Sequence, residues 1–198
     1  MKIIQKLSTH FDERKTAIDM IVFHATATKN LEETLWYFIE KEEGGRVSSH
    51  YVIDRDGTIY QVIPEEKRAW HAGISSWGDI KEDINSHSIG IEFQCSPTGE
   101  RSFEEFTRAQ INSGLLLCED LMKRYNIKPE NVVAHSDIAP ERKFDPGVTF
   151  PWEEFVQKGL ALNPDRRPFL NENRDNLCDR RGNDKRVRSS FKPRIKKS

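Results

Sequence analysis

The chain has 198 residues, 36% hydrophobic and 32% charged, which is enough for one ordinary domain with some length to spare. Its net charge of −1 hides an uneven split: residues 163–198 hold 12 Lys and Arg against 5 Asp and Glu, and the other 162 residues hold 19 against 27. Cys95, Cys118 and Cys178 are too far apart for a disulfide framework or a Cys-x-x-Cys metal knuckle, no apolar run reaches the length of a membrane span, and the first residues lack the apolar stretch of a signal peptide.

In chain order, residues 1–17 are polar and read as a loop leading in. Ile18–Phe23 is mostly apolar and reads as a strand buried on both faces, ending at His24. After the loop Ala25–Lys29, Asn30 is a candidate N-cap, with Glu33 three residues on, for a helix over 31–41. Leu31, Leu35, Phe38 and Ile39 share one face of it, and Gly44-Gly45 stops it. Val47–Ile53 is the second predicted strand, Asp56-Gly57 a hairpin turn, and Thr58–Ile63 the third strand, ended by Pro64. Residues 65–87 form a long connection containing Trp70-His71-Ala72-Gly73, and a loop of that length in a compact domain usually has a function.

Ser88–Phe93 is the fourth strand. The longest helix runs over about 103–125, with an apolar stripe of Phe106, Ile111, Leu115, Cys118, Leu121 and Met122. A fifth strand at 131–135 delivers His135 at its end. The stretch after it, through Pro140 and Pro146 to Gly147, is too rich in φ-restricted residues for a regular helix. A short helix over 151–159 closes the body. Strands and helices alternate with one hairpin and several crossovers, so the class is α/β with a mixed central β-sheet flanked by helices. The chain divides into a domain over 1–162 and a basic tail over 163–198. The tail reads as a flexible solvated segment, with a basic arm for an anionic polymer or membrane surface as the alternative.

The chemistry concentrates in a few residues. His24 and His135 each end a predicted buried strand, and Asp145 follows in a proline-stiffened loop. Two imidazoles and a carboxylate are a standard three-residue set for a catalytic zinc, with the fourth position left to water. The spacing is equally compatible with two satisfied core histidines, so on residues alone the metal remains one of two readings. Glu92 lies in an apolar strand, where a carboxylate is costly unless matched, by a structural arginine or by a catalytic task. Lys143 has Glu141 nearby as a surface partner. Asp137 is read as a supporting residue, His50 as structural, His10 and His87 as surface residues, and Trp70 as either core or a platform for a sugar.

Five segments occur in order: Ile21-Val22-Phe23-His24; Arg46-Val47-Ser48-Ser49-His50 running on to Asp56-Gly57; Arg68-Ala69-Trp70-His71-Ala72-Gly73; Ser88-Ile89-Gly90-Ile91-Glu92; and Asp137-Ile138-Ala139-Pro140 with Arg142-Lys143 leading to Asp145-Pro146-Gly147. Through them the chain, over roughly 10–160, resembles the zinc-dependent N-acetylmuramoyl-L-alanine amidases of type 2. These are the AmpD/AmiD-like enzymes, whose fold is shared with T7-type lysozyme and the peptidoglycan recognition proteins. The resemblance implies one zinc ion held by His24, His135 and Asp145, with Glu92 as general base and Lys143 as oxyanion stabiliser. It implies Arg46 and His71 as contacts for the substrate, peptidoglycan fragments or muropeptides. The implied reaction is hydrolysis of the amide between N-acetylmuramic acid and L-alanine, and the competing expectation is a non-catalytic muropeptide-binding module of the same fold. T7-type members carry a tyrosine where Ser49 stands, which leaves Glu92 as the base here; Ala25 replaces an asparagine of the AmpD-like members. A monomer without sequence-specific nucleic-acid contacts is expected. The expected location is cytoplasmic, or the periplasm or cell envelope if a leader has been removed.

Overall fold

The computed structural model describes residues 2–99 and 102–164, so the predicted tail over 163–198 lies outside the described residues from position 165 onward. A six-stranded mixed sheet forms the centre. Its strands are β1 (Ile3–Gln5), β3 (Met20–Ala25), β4 (Tyr51–Ile53), β5 (Ile59–Gln61), β7 (Ser88–Phe93) and β10 (Val132–Ala134), in the order β1-β5-β4-β7-β3-β10. Only the β4–β5 pair is antiparallel, joined by the predicted turn with Gly57 at φ 85. A Cβ at Gly57 would also meet the Ala109 carbonyl oxygen at 2.8 Å, so glycine is required there by both φ and space.

β7 shows why the sheet has two unlike faces. Its sequence Ser-Ile-Gly-Ile-Glu-Phe alternates small or polar residues with large apolar ones, and a strand points successive side chains to opposite faces. Ile89, Ile91 and Phe93 join the main core with Ile21 and Phe23 of β3. Against them pack Ile111, Leu115, Leu117 and Leu121 of helix α3 (Arg108–Tyr125), together with Phe150 and Phe155. Each such side chain contributes about 1.5–3 kcal/mol on burial. The helix is well delimited: Thr107 and Gln110 form a reciprocal capping box at 3.1 Å, and Asn126 ends it in the left-handed region. On the opposite face Met20 and Val22 pack with Ala72, Trp77, Ile84, Val133 and Ile138, and it is this face that carries Ser88, Gly90 and Glu92.

Several expectations are corrected. The entry segment is not only loop: β1 pairs parallel with β5, and β2 (Phe11–Glu13) pairs antiparallel with β6 (Lys67–Ala69), a strand inside the long connection. That connection also holds a helical turn, α2 (Ile84–His87). The predicted helix over 31–41 is regular only at α1 (Leu31–Leu35), capped by the Asn30 side chain on the Glu33 amide at 2.9 Å, and then widens to π-helical geometry over Trp36–Glu40. The second strand begins at Tyr51, so His50 precedes it. The proline-rich stretch opens with one helical turn, α4 (His135–Ile138), because its first proline comes only at position 140. β8 (Pro97–Gly99) and β9 (Ser102–Phe103) form a small hairpin, and the last helix is α5 (Trp152–Gln157). Among the described residues no helix is long and apolar enough to cross a membrane.

Candidate active site

β3 and β10 run parallel, with Ala134 opposite Phe23, so the residues that follow, His24 in β3 and His135 at the start of α4, meet at the same end of the sheet. Their Nδ1 atoms are 3.0 Å apart, and each is 3.1 Å from Oδ2 of Asp145. The loop bearing Asp145 is tied down by its own carbonyl, which accepts from the Ser136 amide at 3.0 Å. On the neighbouring strand Glu92 sits level with His24. A cavity of about 230 Å³ opens over this group, lined by His24, Glu92, His135, Lys143 and Asp145, with Trp70, His71, Phe38 and Phe103 among its walls.

The donor set suits a cation. His135 Nε2 donates to the Ala72 carbonyl at 3.0 Å, which leaves the Nδ1 lone pair facing a carboxylate oxygen. Two acceptors in contact repel unless positive charge lies between them. Tetrahedral zinc, with bonds of about 2.0–2.1 Å, spaces its ligand atoms about 3.3 Å apart, close to the separations found here. His24 and His135 are buried and Asp145 largely so, and among the described residues these three side chains form the group that could hold a metal ion.

Electrostatics separate the two carboxylates of the site. Burial pushes the Asp145 carboxyl upward, but the adjoining His135 and His24 imidazoles outweigh that and hold it well below the usual carboxylate range. Burial raises Glu92 well above its ordinary value, the charge of Asp145 adds to this, and Lys143 opposes it. Glu92 Oε2 is buried and has no hydrogen-bond partner among the described residues. Among the described residues no arginine pairs with it, so the structural alternative lacks its partner there. His24 is brought down to about 4 by burial and by His135, and is therefore neutral at physiological pH.

The other candidates are placed as follows. Lys143 lines the cavity and makes no ion pair with Glu141. His71 is buried in the cavity wall, with Nδ1 3.0 Å from His24 Nε2 and Nε2 3.2 Å from Ser88 Oγ, so its nitrogens face protein rather than the opening. Arg46 is not in the wall; it lies over the Trp70 ring at 5.4 Å and 3.6 Å from Glu42, while its neighbours Val47 and Ser48 line the cavity. Trp70 is half-buried and donates from Nε1 to Asp12 at 2.8 Å. Asp137 supports the loop by accepting from the Ala134 amide at 2.6 Å. His50 is structural: buried, lowered to about 3 by burial and then by Arg14, and accepting from the Gly90 amide at 3.0 Å. His10 is a correction: it is fully buried, stacked on Trp70 at 6.0 Å, because the entry segment packs as strand β2 against the connection.

Three residues that hold the site together were given no role from the sequence. Arg142 donates to the carbonyls of Ala72 and Ile74, clamping the ligand loop to the connection. Asn85 Oδ1 accepts from the amides of His71 and Ala72 at 3.1 and 2.8 Å. Arg14, lowered by burial to about 10, gathers the carbonyls of Glu65, Lys67, Asn85, Ser86 and Ser88 around one guanidinium. All three act on backbone carbonyls or amides, and which backbone groups they reach is set by the tertiary fold.

Known proteins resemble this chain in sequence and in fold. Residues 14–148 match the family model described as N-acetylmuramoyl-L-alanine amidase. AmiD of Escherichia coli K12, an N-acetylmuramoyl-L-alanine amidase, is 39% identical over 82% of this chain and 63% of its own. AmpD of Citrobacter freundii, a 1,6-anhydro-N-acetylmuramyl-L-alanine amidase, is 44% identical over 56% of each chain. The structure of E. coli AmiD in complex with the substrate anhydro-N-acetylmuramic acid-L-Ala-D-γ-Glu-L-Lys superposes with a TM-score of 0.65 at 41% identity, covering 75% of this chain and 60% of that one. The chain thus spans somewhat under two thirds of the length of these relatives. With the family model covering most of the body and the mixed sheet shared with solved members, the chain belongs to the N-acetylmuramoyl-L-alanine amidase family of type 2.

Proposed function

We propose that this protein is a zinc-dependent amidase that cleaves the bond between the lactyl carboxyl of N-acetylmuramic acid and L-alanine in muropeptides or peptidoglycan. The observation that carries the reading is the convergence of His24, His135 and Asp145 at 3.0–3.1 Å beneath a cavity that also holds Glu92 and Lys143. The substrate class follows from the relatives, whose names and bound ligand specify muramyl-L-alanine.

His24, His135 and Asp145 would hold one zinc ion. Bound there, the ion supplies Lewis-acid polarisation of the amide carbonyl and lowers the pKa of a water. Glu92 takes a proton from the attacking water and delivers it to the leaving amide nitrogen, work suited to a buried carboxyl with a free oxygen and a raised proton affinity. As the C–N bond breaks, the acyl carbon keeps the water oxygen as a carboxylate and L-alanine leaves with a free amine. Lys143 supplies positive charge where the carbonyl oxygen becomes negative. Arg46 and the Trp70 face form a rim for the stem peptide and the sugar.

The test is mass spectrometry of products from anhydro-muramyl tripeptide and from intact sacculi, using the zinc-loaded full chain. The expected products are peptides with a free L-alanine amino terminus. Zinc-loaded protein that binds these substrates and releases no peptide would overturn the reading.

A further inference from the structure

Behind the cavity a line of hydrogen bonds leads away from His24, and its polarity can be read from one end. Ser88 Oγ lies 2.7 Å from the Ile84 carbonyl, an acceptor only, so the hydroxyl proton goes there. Ser88 Oγ must then accept from its other partner, His71 Nε2, at 3.2 Å. That places the His71 proton on Nε2 and leaves Nδ1 as a lone pair. Nδ1 faces His24 Nε2 at 3.0 Å, so His24 must donate from Nε2. The remaining His24 nitrogen, Nδ1, carries the lone pair that points at His135 and Asp145.

The surroundings hold this line in place. Ser88 is fully buried and His71 nearly so. The His71 backbone is fixed by Asn85, and its ring lies against Gly90, where a Cβ would come within 2.6 Å of the ring. Ser88 and Gly90 are alternate residues of β7, on the same face as Glu92, so one strand supplies the anchor, the space and the acidic group.

We propose that His71, anchored by Ser88, is a positioning residue that holds His24 in its Nε2–H tautomer and so presents the Nδ1 lone pair to the cation. This role rests on the zinc-amidase reading and replaces direct substrate contact as the task of His71. Partners of this kind, one step behind a ligand, are typically worth about 10–100-fold in metal affinity.

Two measurements test it. The first is imidazole nitrogen NMR of the zinc-free, ¹⁵N-labelled full chain, which needs no substitution. His24 and His71 are both expected as Nε2–H tautomers, and a Nδ1–H tautomer at His24 would overturn the proposal. The second is zinc dissociation constants by competition with a chelating dye for His71→Phe and His71→Gln. Phenylalanine, with no acceptor, should weaken zinc about 10–100-fold, and glutamine, with an amide oxygen, should recover part of the loss. Wild-type affinity in His71→Phe, or no difference between the two variants, would refute the role. Failure of the zinc-loaded wild type to cleave muropeptides would instead remove the amidase reading and leave the tautomer measurement standing.

Discussion

The region where α3 meets β4 and the cavity face of β7 each contain one buried glutamate, and the two are treated in opposite ways. Glu65 and Glu92 are both 8% exposed. Glu65 receives the guanidinium of Arg124 and the hydroxyls of Tyr51 and Tyr125. Burial pushes its pKa upward, but those hydrogen bonds outweigh burial and bring it to about 2. Glu92 has one oxygen without a partner, and its carboxyl is raised by burial. Equal solvent exposure therefore says nothing about role. The number of donors within reach separates a carboxylate that braces the fold from one left free to move a proton.

The sharpest test of this contrast is Glu92→Gln. Turnover should fall by about 10²–10⁴, the usual worth of a general acid–base. Zinc content should stay near one per chain, and the melting temperature should not drop, because an uncompensated buried carboxyl has been neutralised. A large loss of stability would place Glu92 with Glu65 as a brace. Lys143→Met comes next: retained zinc and a turnover loss of about 10²–10³, read in steady-state kinetics.

The converse substitution, Glu65→Gln, should cost about 1–3 kcal/mol in denaturant unfolding and leave turnover per folded molecule unchanged. The pH dependence follows in sign. Because the folded-state pKa of Glu65 is depressed from 4.5 to about 2, its contribution is present above pH 4.5 and is lost as the pH falls toward 2. Glu65→Gln should flatten the stability curve in that window, and an unchanged slope would show that Glu65 is not the group responsible.

The smallest effect is expected at Gly114 on the core face of α3, where a Cβ would meet the Phe93 ring at 2.7 Å. Gly114→Ala gains up to about 1 kcal/mol of helix propensity and loses about 1–3 kcal/mol to overpacking, so a modest net loss is expected in thermal melts. Activity per folded molecule should not change, since Phe93 faces the core while Glu92 faces the cavity.

Much of this architecture is legible in local pattern. The alternation of Ser88–Phe93 marks a two-faced strand, Asn30 and Thr107 mark helix starts, and Asp56-Gly57 marks the hairpin. The five ordered segments carry the family resemblance, and with it the five residues that the structure gathers around one cavity. What was missed depends on partners remote in sequence. β1 is a strand only because Ile59–Gln61 lies beside it, and the ring of His10 is buried only because β2 packs on the connection that bears Trp70.

The same division runs through the site. The order of elements follows from residue type and periodicity, which are local properties of the chain, and the candidate ligands His24, His135 and Asp145 follow from the resemblance that the five segments carry. Which nitrogen of His24 faces the cavity, whether Glu92 finds a donor, and whether His71 turns toward substrate or toward protein are set by distances of about 3 Å between segments far apart in sequence. Hydrogen-bond polarity and desolvation act over those distances, so they emerge only once the strands are in register and the connection has closed over the sheet.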